Sequence, residues 1–283
     1  MNILTLRPSL PNRTPILFLC GDVMTGRGID QVMSHPSNLC LYEPYVESPL
    51  EYVVMAERAN GPIPKPVNFD HVWGEAIEDF DCFAPAVRII NLETSITTSE
   101  NYEPKRINYR MHPANICCLT AANIDCCVLA NNHVLDWGNS GLTETVATLH
   151  RMGINTAGAG RNLDDALCPA IIEVGGDSRV LVFAVGTADS GIPRHWAATH
   201  ARPGIALLPN LSLETADGIA ERVHAVRRPR DKIVLSISLG RKLGLPGPTG
   251  ATDLCPQASG SWGDRRHSRS FVAPSERYRD LQE

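Results

Sequence analysis

A chain of 283 residues, 43% of them hydrophobic, is long enough to bury one substantial core, and a single domain is the default at this length. A net charge of −5 and a pI near 6.0 leave no basic footprint for a nucleic-acid partner. No apolar run approaches the roughly 18 residues of a membrane span, and the opening MNILTLRPSLPNRTP has prolines where a signal peptide has its apolar segment, so the sequence as written reads as soluble and cytoplasmic.

The first element in chain order is Pro15–Cys20, an apolar run that ends in Gly21-Asp22 and then Val23-Met24-Thr25-Gly26-Arg27-Gly28. This is the pattern of a buried strand delivering a carboxylate at its end, followed by glycines that allow a tight turn or close approach to a ligand. Asp22 is therefore a metal-ligand candidate, with a helix-capping role as the alternative. Residues 36–66 show little periodicity and scatter Tyr42, Tyr45 and Tyr52 among prolines. The stretch 42–70 reads as a long loop, which in a compact domain is usually functional or mobile. Val72–Phe80 has the spacing of a short amphipathic helix. Val87–Thr94 repeats the opening logic, with Glu93 the candidate ligand beyond a buried strand. Two carboxylates at strand ends suit a hard divalent cation, which needs converging oxygens.

Asn108–Pro113 sets Arg110 and His112 in a loop before a helix over 114–123; Arg110 either binds an anionic group or makes a surface ion pair. The strand Asp125–Ala130 leads into Asn131-Asn132-His133-Val134-Leu135-Asp136. Here an amide oxygen, an imidazole and a carboxylate follow a buried strand, where an α/β protein exposes its chemistry. Asn132 is a neutral oxygen ligand, His133 a ligand or acid/base, and Asp136 the group that orients the imidazole; the alternative is a core histidine bonded to Asp136. Nine cysteines include the adjacent pairs Cys117-Cys118 and Cys126-Cys127 in apolar surroundings. They lack the two-residue gap of zinc sites and read as buried free thiols. A helix over 142–152, a strand over Ile154–Gly160, a hairpin of Ala170–Val174 and Arg179–Gly186 about Gly175-Gly176-Asp177-Ser178, a helix over Leu211–Val226 and a strand over Lys232–Ile237 complete the pattern. Residues 238–283 then turn rich in Gly, Pro, Ser and Arg without periodicity.

The ordered motifs GDVMTGRG, NLETSIT, ANNHVLDWG and GAGRN together resemble the CapA family of poly-γ-glutamate capsule synthesis proteins, over about residues 15–237. That family is similar to the calcineurin-like metallophosphatases, so the resemblance implies an α/β fold of the αββα two-sheet type. It implies a divalent metal centre (Mn, Fe or Zn) with Asp22, Glu93 and Asn132 as ligands. His133 would be the catalytic histidine with Asp136 its partner, and Arg27 would lie where an anionic group is held. Implied partners are an anionic polymer or small anionic substrate and a polymer synthase. Two departures matter: the amino-terminal membrane anchor that the family often carries is not seen, and two further His motifs, an HWG after the last strand and a later GHSSH, are missing.

The missing motifs leave a trace. Ser238–Leu245 can be encoded TCA TTG GGG AGA AAA CTG GGG TTA, which one base later reads His-Trp-Gly-Glu-Asn-Trp-Gly-Tyr. Arg266–Pro274 can be encoded CGT CAT TCA CGG TCA TTC GTC GCA CCA, which in the same shifted frame reads Val-Ile-His-Gly-His-Ser-Ser-His. Suitable codons also turn Pro246–Arg265 into an amphipathic helix leading to a valine-rich strand. The hypothesis is that one extra base near the Ile237 codon leaves 283 − 237 = 46 out-of-frame residues, the alternative being a real divergent tail. The domain would then be 1–237, incomplete at its C-terminal end, with 238–283 a frameshifted and mostly disordered tail, weakened metal binding and impaired activity. Resequencing the gene across that codon is expected to show an HWG in frame once one base is removed; a gene with no such frame would rule this reading out.

Overall fold

Four segments between residues 17 and 157 line up as one parallel sheet. The computed structural model describes residues 15–240 and 269–274. β1 (Leu17–Val23), β2 (Val87–Leu92), β3 (Cys126–Val128) and β4 (Asn155–Ala157) lie side by side in that order, each pair parallel. Parallel neighbours need crossover connections, which the helices between the strands provide, so all four carboxyl ends share one edge. Every residue of β2 and β3 is buried, which is why neither alternates in polarity. β1 is one of the two edge strands, and its apolar Leu19 remains 39% exposed.

The second sheet has the order β8 (Arg269–Pro274), β7 (Lys232–Leu239), β6 (Ser178–Gly186), β5 (Ala170–Gly175). The predicted hairpin of β5 and β6 turns through Gly175, Gly176 and Asp177, with φ of 91°, 57° and 61°, angles that glycine adopts without strain. β7 runs parallel to β6 after the helix Leu213–Val226, and β8 pairs antiparallel to β7. Val234, Ser236 and Ser238 of β7 are buried and their neighbours are only half-buried. Ile90 and Val128 of the first sheet share one apolar cluster with Val180, Val182 and Val234 of the second, so the two sheets are built on a common core. Cys118, Cys126 and Cys127 are free and buried in it, and burial pushes the Cys118 thiol up to about 12.

Three expectations change. Residues 42–70 are not one long loop: Pro49–Asn60 is a helix whose first turn is closed by a capping box of Ser48 and Glu51, with Pro49 at its start. Only Pro49 and Val53 of that helix are buried, so it carries almost no apolar periodicity. Residues 72–75 form turns, and the helix there runs Ala76–Phe83. The strand placed at 232–237 continues to Leu239, and residues 269–274 are also strand, so a mostly disordered tail does not describe those positions. The rest of the tail, 241–268 and 275–283, lies outside the described residues.

The starts of β6 and β7 are tied by Arg179, whose Nε and Nη2 donate to the Asp231 carboxylate at 3.0 and 2.5 Å. These bonds hold the Asp231 carboxyl below its usual range. A depressed folded-state value means stability that is present above the unfolded pKa and lost as pH falls through the folded one. Asp231→Asn is therefore expected to lower the thermal midpoint by several degrees at about pH 7, with the gap to wild type narrowing below about pH 4. Melts across that range measure it, and a gap that does not change with pH would contradict it.

Candidate metal centre

Asp22 stands near the end of β1 and Glu93 one residue beyond β2, on the shared carboxyl edge. Their side chains are gathered by a third. Asn91 Nδ2 donates to Asp22 Oδ1 at 2.7 Å and to Glu93 Oε1 at 3.2 Å. Two carboxylates repel, and one amide with two N–H donors is the means of holding them together without neutralising either. Asn91 is itself oriented by the next strand's loop, because its Oδ1 accepts from Asn131 Nδ2 at 3.0 Å.

Asn131 builds the turn after β3. Its Nδ2 also donates to the Leu92 carbonyl at 2.9 Å, and its Oδ1 accepts from the backbone N–H groups of His133 and Val134, each at 3.0 Å. That turn presents Asn132 and His133. Asn132 Oδ1 is buried and accepts no hydrogen bond from the described residues. A buried amide oxygen left so costs about 1–3 kcal/mol, a cost that a bound cation would offset. His133 is buried, with Nδ1 2.8 Å from Asp136 Oδ2 and Nε2 3.6 Å from Glu93 Oε2. Its ring lies on Tyr109, centroids 4.0 Å apart, and burial pushes the Tyr109 hydroxyl up to about 12. Asp136 is wholly buried; its Oδ2 accepts the Tyr109 N–H at 2.6 Å and its Oδ1 lies 2.5 Å from Lys105 Nζ.

The contacts thus bring Asp22, Glu93, His133 and Asp136 into one linked cluster, with Asn132 on the same turn. Among the described residues no three His, Cys, Asp or Glu side chains come close enough to hold a metal by themselves. Asp22 and Glu93, gathered by Asn91, and the unpartnered Asn132 oxygen are oxygen donors of the kind that could hold a hard divalent ion.

The two arginines are placed differently from one another. Arg27 Nε donates to Glu43 at 2.6 Å, and its guanidinium lies 4.7 Å from the rings of both Tyr52 and Tyr109. Glu43 also accepts the Tyr52 hydroxyl at 2.6 Å, so Arg27 latches the 38–48 segment to the site's flank. It does so in a left-handed backbone conformation, φ 51°. Arg110 Nη1 donates to Ser99 O and Glu100 Oε1, both at 3.0 Å, and its guanidinium lies 3.9 Å over Trp137. Both arginines border one small pocket with Asn108 and Trp137. A groove of about 480 Å³ lies elsewhere, between the helix Leu213–Val226 and the second sheet. Sequence reasoning missed Asn91, Asn131, Tyr109 and Lys105. The first two sat inside quoted motifs, and only the register of parallel strands reveals their role.

Polar side chains gathered at the carboxyl edge of a parallel sheet define the class, an α/β protein with a polar cluster at the ends of its parallel strands. The chain belongs to the bacterial capsule synthesis protein family PGA_cap, whose model matches residues 16–255 and so runs 255 − 237 = 18 residues past Ile237. It is 44% identical over 230 residues to a probable polyglutamine synthesis accessory protein of Mycobacterium tuberculosis, in both the CDC 1551 and the H37Rv strain. The aligned region is 81% of this chain and 60% of that protein, so the chain spans about three fifths of the length of the curated relatives it matches.

The latch can be tested directly. Arg27→Met leaves the buried Glu43 carboxylate unpaired and is expected to cost about 3 kcal/mol and to open residues 38–48 to protease. Adding Glu43→Gln is expected to recover part of the loss in denaturant melts; additive losses would show that the two residues do not act as a pair.

Proposed function

We propose that the chain is a capsule-polymer synthesis protein with a metallophosphatase-type site on an αββα framework, acting in biosynthesis or export of poly-γ-glutamate or a related anionic polymer in the cytoplasm. The observation that supports it most is the Asn91 amide holding Asp22 against Glu93, with a buried and unpartnered Asn132 oxygen on the turn that carries His133. A divalent ion there would supply Lewis-acid polarisation and a more acidic bound water. The chain's own residues do the rest. Asp136 fixes the His133 ring through Nδ1, which leaves Nε2 on the Glu93 side to take or give a proton. Arg27 and Arg110, at the neighbouring pocket, are the groups for an anionic substrate.

The proposal includes the frameshift. Val234 and Ser236 line a cavity between the sheets together with Gly21 and Asn91, and Ser238 lies on the same face of β7, one step nearer the carboxyl edge. Ser238 is 3% exposed, and its hydroxyl has no hydrogen-bond partner among the described residues. With the codons given above, the shifted frame would put a histidine at this position. The chain as encoded would then hold half a site and bind metal weakly.

A second reading, favoured by the word accessory in the relatives' name, is a non-catalytic partner of a polymer synthase that binds through residues 36–70. No helix among the described residues is long and apolar enough to cross a membrane. Hydrolysis of an aryl phosphate with added Mn²⁺ separates the two. The protein expressed from the gene with one base removed is expected to be active, and His133→Ala in it to lose about 10²–10⁴-fold. No hydrolysis, together with polymer synthesis in cells untouched by His133→Ala, would favour the accessory reading.

A further inference from the structure

Lys105 is not part of any quoted motif, yet its ammonium reaches the centre of the site. It lies 2.5 Å from Asp136 Oδ1, donates to the Asn132 carbonyl, and sits 3.3 Å from His133 Nδ1. The ammonium also lies over the Trp196 ring, with Nζ 5.2 Å from its centroid. One cation thus touches all three functional residues of the turn.

The fold does not require it. The segment around Lys105 is already fastened to Asp136 by neutral groups. Glu103 N donates to the Asp136 carbonyl at 2.8 Å, Asn108 Nδ2 donates to the same carbonyl at 3.0 Å, and Tyr109 N donates to Oδ2. What these bonds leave open is the direction of the His133 ring proton. Nδ1 faces a carboxylate at 2.8 Å and an ammonium at 3.3 Å, and an ammonium only donates. The contact of Nδ1 with Oδ2, at 2.8 Å against 3.3 Å to the ammonium, is the one that calls for a proton on Nδ1, which donates to Oδ2 while Lys105 pairs with Oδ1; in that tautomer Nε2 is the acceptor.

We propose that Lys105 is the positioning residue of this site: by holding Asp136 Oδ1 and the Asn132 carbonyl together, it fixes His133 as the Nδ1–H tautomer and fixes the turn that aims the Asn132 amide. This rests on the reading of His133 and Asn132 given above. The class of group it serves is a divalent cation with its bound anionic ligand on the Glu93 side of the imidazole.

The test uses the full chain labelled with ¹⁵N-histidine, with the His133 ring signals assigned from their loss in His133→Gln. Wild type and Lys105→Arg are expected to show a single Nδ1–H tautomer pattern. Lys105→Met and Lys105→Gln, with amide spectra otherwise unchanged, are expected to show averaged ring shifts and at least threefold weaker Mn²⁺ broadening of the His133 signals. Ring shifts in the two neutral variants identical to wild type would overturn the proposal. Loss of fold in both would also overturn it, by making Lys105 a structural residue. Mn²⁺ that fails to broaden His133 in the wild type would instead count against the metal reading, since the tautomer comparison needs no metal.

Discussion

The amide of Asn91 is the constraint on which the site depends. Two carboxylates from adjacent parallel strands arrive close together whether or not a cation is present, and their repulsion has to be met by something fixed. Asn91 meets it with both N–H bonds, and its oxygen is fixed in turn by Asn131 of the next strand's loop. Three consecutive strands of the parallel sheet are thereby read out at one edge. The order β1, β2, β3 makes the polar cluster a product of topology as much as of residue choice.

Second in importance is the wrapping of Asp136. Its carboxylate is wholly buried: Oδ2 accepts the Tyr109 N–H and faces His133 Nδ1, while Oδ1 has the Lys105 ammonium as its ion-pair partner. Burying a carboxylate in this way is costly unless every oxygen is engaged, so the segment 103–109 is committed to the site although it contributes no ligand. The same segment carries Tyr109, whose ring joins the His133 face to the Arg27 latch. Loop, latch and imidazole form one connected structure.

Much of this was legible from the residues alone. Asp22, Glu93 and His133 could be picked out because each follows an apolar run, and a buried parallel strand is readable from length and composition. The glycine-rich hairpin of β5 and β6 was equally plain. The helix Pro49–Asn60 was not, because a helix with two buried residues has no apolar stripe; its signal was the local chemistry of Ser48, Pro49 and Glu51. Lys105 was invisible for another reason. Its partners are set by a loop that folds back across sequence, and no spacing rule predicts that. The roles given to Arg27 and Arg110 came from residue type, and the structure shows each already holding a carboxylate.

The account rests on the claim that Asp22, Glu93 and Asn132 together hold a divalent ion. The most direct measurement is a Mn²⁺ titration of the purified chain followed by electron paramagnetic resonance, beside Asp22→Asn and Asn132→Ala. One weak site in the wild type, at least tenfold weaker in each variant, is the predicted result. Binding of equal strength in all three proteins, or none in the wild type, would contradict it.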